Sequence, residues 1–261
     1  MSNTKIALKT FPDLVNQHKK LPVDYFEIAI RPTIFGKETS LDTQLQAYAT
    51  IADKVIGIHG AIYREGVNLL DPNAKEMNQK AFHYVNEASR YFPNSNYNLF
   101  HPGNIIPNSS CSFNTLFNFL NTNHLENLVI EFEPFFAYDQ RFVFPIHTVK
   151  DWKIFKNNIK KPIVLDTAHC FITAQALGYE FYHYFESLVT ILNPNIIHLS
   201  STDMSDRGMN DKHLPFEKGC IDFKKLAPLL YNKTLVIEVN NVSENDIYYI
   251  KSIIQGVTTS S

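Results

Sequence analysis

Eight short apolar runs, each followed by a longer amphipathic stretch, predict an α/β chain folded as a single (β/α)8 TIM barrel over residues 1–261. Two further observations support that class. No Pro/Gly-rich linker interrupts the alternation, so parallel strands in one domain are expected. No G-x-G-x-x-G follows any run, which counts against an open doubly wound sheet.

The runs cover residues 5–9, 25–30, 55–59, 97–101, 128–132, 163–166, 196–199 and 235–239. Most are near-continuous apolar stretches, as in strands buried on both faces. Between them, residues 12–19 suggest a short first helix and 41–52 a second. In 74–92, Met77, Ala81, Phe82, Val85, Ala88 and Phe92 share one helical face. Asp71-Pro72 ahead of that stretch has the form of a cap followed by an early proline. Helices are also predicted over 112–121, 148–157, 172–192, 223–231 and 244–255, with Gly178 a weak point in the 172–192 helix. The connections 133–147 and 200–221 are long for a compact domain, and on a barrel both lie at the C-terminal rim. The first holds Phe135, Phe136, Tyr138, Phe142 and Phe144, which suit packing over the barrel mouth or stacking on a flipped-out sugar or base.

Composition is that of an ordinary globular chain, 44% hydrophobic with a formal net charge of −2. The balance excludes a polycationic tail but leaves room for a local basic rim. Three widely spaced cysteines without a CxxC, no signal-peptide pattern and no apolar run of membrane length lead us to expect a reduced, cytoplasmic chain with no membrane partner, acting as a monomer.

The strand ends carry the chemistry. The third ends at His59 and the fourth at His101, followed by Pro102-Gly103. The fifth carries Glu131, and the sixth ends at Asp166 with His169 three residues on. The seventh carries His198, its loop brings Asp211 and His213, and the eighth carries Glu238. Any one of these reads more simply as a satisfied polar residue, and Asp166 alone as a helix cap. Together they would bury four carboxylates in one cleft, at several kcal/mol per unpaired charge, with few Lys or Arg nearby. Divalent metal resolves that cost. One dication on Glu131, Asp166, His198 and Glu238 leaves about −1, which suits a neutral polyol. Three dications on all nine groups leave about +2, which suits an anionic phosphate. The nitrogen-rich set favours Zn2+, up to three ions, with Mn2+ as an alternative.

These motifs resemble the endonuclease IV family (AP endonuclease family 2) within the xylose-isomerase-like barrels. The resemblance rests on His59, Phe100-His101-Pro102-Gly103, Glu131, Asp166-Thr167-Ala168-His169, His198-Leu199, Asp211-Lys212-His213 with Gly219, and Glu238. Asp211-Lys212-His213 is the most specific of them, because mononuclear sugar isomerases and epimerases generally lack it. The resemblance implies one metal on His59, His101 and Glu131, a second on Glu131, Asp166, His198 and Glu238, and a third on His169, Asp211 and His213. It also implies hydrolysis of the DNA backbone 5′ to abasic sites by a metal-bound hydroxide. The chain departs from the family at Ala7-Leu8-Lys9-Thr10, where a Gly-Ala-His-Val-Ser type motif is usual, and at Phe132-Glu133-Pro134-Phe135. Arg31 and Lys37 follow the second strand without a clear DNA-invading set, and Tyr63 and Arg64 are candidates for a phosphodiester contact or plain surface residues.

Three functions follow as expectations. The first is a zinc phosphodiesterase on DNA with abasic sites. The second is a sugar isomerase or epimerase with one metal and Glu131 and Glu238 as catalytic acid and base, acting on a small sugar. The third is a non-catalytic metal- or partner-binding barrel. A small phosphoester is the other substrate class considered. His18, His83, His124, His147 and His183 are expected to be structural or at the surface.

Overall fold

The computed structural model describes residues 4–34, 36–135, 144–205 and 210–259. Most of the aromatic connection, residues 136–143, and residues 206–209 of the seventh loop lie outside the described residues. The barrel strands are β1 (Lys5–Thr10), β2 (Tyr25–Ala29), β3 (Val55–His59), β4 (Tyr97–Phe100), β5 (Leu128–Glu131), β6 (Ile163–Asp166), β7 (Ile196–Leu199) and β8 (Thr234–Ile237). Each pairs in parallel with its sequence neighbours, and β8 closes on β1. The predicted (β/α)8 TIM barrel is the observed fold.

Alternation along each strand sends one set of side chains into the barrel and the other toward the helices. The inward set starts as an apolar plug that includes Ala7, Leu99, Val129, Val164, Ile196 and Val236. Two residues further along each of these strands come Lys9, His101, Glu131, Asp166, His198 and Glu238. The period-2 pattern therefore sets the polar centre on an apolar floor. The outward set, including Leu8, Ile58, Ile130, Leu165, Ile197 and Ile237, packs in the larger core under the helices. Each such side chain contributes about 1.5–3 kcal/mol by leaving water.

The helices are α1 (Val15–His18), α2 (Leu41–Tyr48), α3 (Lys75–Tyr91), α4 (Phe113–Thr122), α5 (Val149–Ile159), α6 (Thr167–Leu177), α7 (Phe181–Leu192), α8 (Phe223–Leu230) and α9 (Glu244–Thr259). Side-chain caps start several of them: Ser112 accepts from Thr115 N at 3.2 Å and Thr148 from Asp151 N at 3.1 Å. Asp71 caps a short 3-10 turn, Pro72–Ala74, that leads into α3.

Two expectations need correction, and one small element was not expected. The single helix over 172–192 is two helices, because Gly178 takes the left-handed conformation at φ +71 and Glu180 caps a fresh start. The first of the two also begins earlier, at Thr167, directly under the Asp166 cap. The 41–52 helix stays α-helical only to Tyr48 and tightens into a 3-10 turn, Ala49–Lys54, where β-branched Thr50 and Ile51 favour the α form less. A two-stranded hairpin, Thr33–Ile34 with Lys37–Glu38, was not foreseen and puts Lys37 on an exposed edge away from the cleft.

Phe144, at the end of the aromatic connection, is fully buried against Trp152 and Phe155, so packing is its role. Among the described residues no helix is long and apolar enough to cross a membrane.

Candidate metal centre

All nine residues singled out at the strand ends meet above the apolar floor. Glu131 lies at the centre. Its Oε2 is 2.9 Å from His101 Nε2 and 3.3 Å from His59 Nε2, and its Oε1 is 3.5 Å from His198 Nδ1. His198 Nδ1 also lies 3.0 Å from Glu238 Oε2. Two groups could each converge on one ion: His59, His101 and Glu131, and Glu131, Asp166, His198 and Glu238, with ligand atoms all within 4.8 Å of one another in each. Beside them Asp211 Oδ2 sits 3.4 Å from His169 Nε2 and 2.9 Å from His213 Nε2.

What surrounds the histidines decides which nitrogen each can offer. His59 Nδ1 lies 2.8 Å from Gly60 O, His169 Nδ1 2.7 Å from Phe132 O and His213 Nδ1 3.0 Å from Glu238 O. His101 Nδ1 bonds the Glu133 carboxylate, and His198 Nε2 lies 3.1 Å from Glu27 Oε2. A carbonyl or carboxylate accepts, so each histidine donates outward and turns a lone pair inward. That is the outer-shell arrangement of metal-binding imidazoles. The inward nitrogens then face other acceptors: His59 Nε2 and His101 Nε2 are 3.3 Å apart. Glu131 Oε2, His198 Nδ1, Asp211 Oδ1 and Glu238 Oε2 are buried without a hydrogen-bond partner among the described residues. Acceptors aimed at one another need a cation between them, and the donor set fits zinc or manganese.

Without metal, protons fill that need. His101 is raised to about 10: burial opposes this, but Glu131 and Glu133 outweigh it. His213 is raised to about 9, Asp211 outweighing burial. His169 and His198 are raised as well, against burial, chiefly by Asp166 and by Glu27 respectively. His59 is instead pushed down to about 4 by burial and by Lys9. Asp166 is raised by burial and by neighbouring carboxylates, and it also caps α6 through His169 N at 2.8 Å. The cap and ligand readings of Asp166 are thus compatible, since its Oδ1 serves the helix and Oδ2 remains inward beside Ser200 Oγ at 3.3 Å.

Three residues of the centre were missed. Glu27, fully buried on β2, accepts from Tyr97 Oη at 2.8 Å as well as from His198. Glu133 holds His101. Lys9 reaches Glu238 Oε1 at 2.6 Å and is one of the few cations expected near the carboxylates. A charged residue inside the 25–30 run was the available signal at Glu27.

A cavity of about 810 Å³ opens over the centre, with Lys9, Arg31, Tyr63, Arg64, His101, Glu131, His169, Asp211, His213 and Glu238 among its walls. Arg31 is committed to Glu65 at 2.8 Å and stacks on Phe11. His18 is buried against Thr10, while His83, His124 and His183 are exposed.

No family model matches the sequence, and no curated protein matches it. Solved structures match over nearly the whole chain. Endonuclease IV from Thermus thermophilus is 13% identical with a TM-score of 0.67, covering 97% of this chain and 99% of that one. The TTHB071 protein from the same organism, soaked with ZnCl2, is 14% identical with a TM-score of 0.67, covering 97% and 98%. An L-ribulose 3-epimerase is 12% identical with a TM-score of 0.64, covering 98% and 96%. At these identities the likeness shows a shared barrel fold, and it extends to a nuclease and an epimerase alike.

Proposed function

We propose that the chain is a metal-dependent phosphodiesterase that incises DNA 5′ to abasic sites. The observation that carries this reading is Asp211, whose Oδ2 lies between His169 Nε2 at 3.4 Å and His213 Nε2 at 2.9 Å as a candidate third set, beside two sets that share Glu131. A one-metal sugar enzyme has no use for it. Bound at the three sets, zinc ions supply Lewis acidity and an activated water, and no protein nucleophile is required. The chain's own part is to orient five imidazoles through Gly60 O, Glu133, Phe132 O, Glu27 and Glu238 O, and to keep Glu131 between two sets. Tyr63 and Arg64, on the cavity wall, stand where a phosphodiester flanking the site would pass.

The sugar isomerase or epimerase is the second reading, supported by the self-sufficient set of Glu131, Asp166, His198 and Glu238. Its chemistry asks Glu238 to take a proton from carbon. Yet Glu238 Oε1 is held by Lys9 at 2.6 Å, and despite burial Lys9 keeps this carboxyl well below the usual range, so it is a poor base.

The test is a duplex carrying one abasic analogue, incubated with zinc-loaded protein. Incision on the 5′ side is expected, with near-total loss in Asp211→Ala at unchanged far-UV circular dichroism. Full activity in Asp211→Ala would sink the three-metal reading, and turnover of a ketose without incision would select the second.

A further inference from the structure

Lys9 stands at the end of β1, two residues beyond Ala7 of the apolar floor, with its side chain 5% exposed. A lysine so placed needs a strong reason, because a buried ammonium is costly unless paired. Glu238 Oε1 is its only hydrogen-bond partner among the described residues, which leaves two N–H groups on the cavity side. Glu238 turns its other oxygen to His198 Nδ1 at 3.0 Å, toward the metal-facing atoms. The ammonium therefore sits one carboxylate away from the middle donor set.

The cavity that Lys9 lines is walled by more than ligands. Phe11, Leu14, His18, Arg31, Asn240 and Asn241 also line it, and the Glu65 carboxylate among its walls is bound to Arg31. Once the ligand carboxylates hold dications, Lys9 is left chiefly with Glu27, its register neighbour on β2, whose hydrogen bonds go to Tyr97 and His198. An anion lying between the metal-facing atoms and the ammonium would add to that compensation. A neutral sugar would not.

We propose that Lys9 is a specificity-determining residue for substrate charge: its ammonium completes, opposite the metal-facing ligands, a pocket for an anion of phosphate size. This rests on the metal-dependent reading of the site and adds to it the residue that tells an anionic from a neutral substrate.

The experiment uses the full chain loaded with Co2+, titrated with inorganic phosphate and followed by the visible Co2+ absorption. Lys9→Met should bind as many Co2+ equivalents as the parent but phosphate about tenfold or more weakly, and Lys9→Arg should recover most of the loss. Equal phosphate affinity in Lys9→Met overturns the proposal, as does absence of any phosphate response in the parent. Loss of Co2+ from Lys9→Met also overturns it, since Lys9 would then serve the metal ligands and not the anion. Should Lys9→Met not fold, Lys9→Gln carries the same comparison. The incision assay is separate. Lys9-dependent phosphate binding without incision keeps this proposal and removes the endonuclease reading, and incision with phosphate affinity indifferent to Lys9 does the reverse.

Discussion

Glu27 accepts from both Tyr97 Oη and His198 Nε2 through one oxygen, so it fixes which face His198 turns to the ligands. If the imidazole flipped, Nδ1 would no longer point at Glu131 and Glu238, and if it changed tautomer Nδ1 would carry the proton and offer no lone pair. Outer-shell carboxylates of this kind matter to metal affinity by about 10- to 100-fold. Glu27→Gln keeps shape but loses charge, and should weaken Co2+ binding at the His198 set by about tenfold or more. Tyr97→Phe, which leaves the carboxylate in place, should cost less. Competition against a chelating dye measures both, and unchanged affinity in Glu27→Gln would show that packing alone holds His198. Six of the nine residues were legible because they lie at the ends of apolar runs, and His169, Asp211 and His213 because they follow those ends in the loops. Glu27 sits inside one, between Phe26 and Ile28, where the run's apolarity hid it. Glu133 and Lys9 were visible only as departures from a motif, and their partners, His101 and Glu238, are far away in sequence.

At the level of elements, β3 shows how a missing side chain builds the centre. Gly57 pairs with Glu27 on one side and Tyr97 on the other. A Cβ there would lie 2.1 Å from Tyr97 Cζ, so the ring could no longer cross β3 to reach Glu27. Gly57→Ala should cost about 1–3 kcal/mol of stability by overpacking, and should also share the metal defect of Glu27→Gln. Gly256→Ala in α9, where an added Cβ would meet no atom of another element within 4 Å, is the control and should be neutral or stabilising by up to about 1 kcal/mol. Denaturant midpoints check both, and equal midpoints for Gly57→Ala and the parent would mean that the Tyr97 ring yields freely. The helix boundaries show what local pattern misses. The apolar spacing over 172–192 was continuous, yet Gly178 and the Glu180 cap divide it, and α6 begins at Thr167, directly after the Asp166 cap. His101-Pro102-Gly103 is a further case: Gly103 at φ +95 lets the loop pass Asn68, where a Cβ would lie 2.1 Å from Oδ1.

For the whole molecule, a metal ion at these groups would compete with protons for the same lone pairs, and this sets how stability should depend on pH. In the metal-free chain His101 and His213 titrate at about 10 and about 9, against an ordinary value of 6.5. A group whose folded value is raised gives its full stability below the unfolded value and loses it as pH rises through the folded one. The metal-free protein should therefore lose stability steadily between about pH 6.5 and pH 9 to 10. His59 acts in the opposite sense: lowered to about 4, it adds stability that is present above 6.5 and lost as pH falls toward its folded value. Together they place the metal-free optimum near neutrality. With zinc bound, the same imidazoles are held neutral in the folded state, so the fall above pH 6.5 should disappear and binding should release protons. Thermal unfolding at pH 6.5, 7.5 and 8.5, with chelator and with saturating Zn2+, tests this, and proton release can be read in a weakly buffered indicator solution. Parallel pH profiles in chelator and in zinc would mean that the ions bind away from these histidines, whatever activity the protein shows. A profile that falls only in chelator would tie the barrel's stability to the lone pairs its strands turn inward.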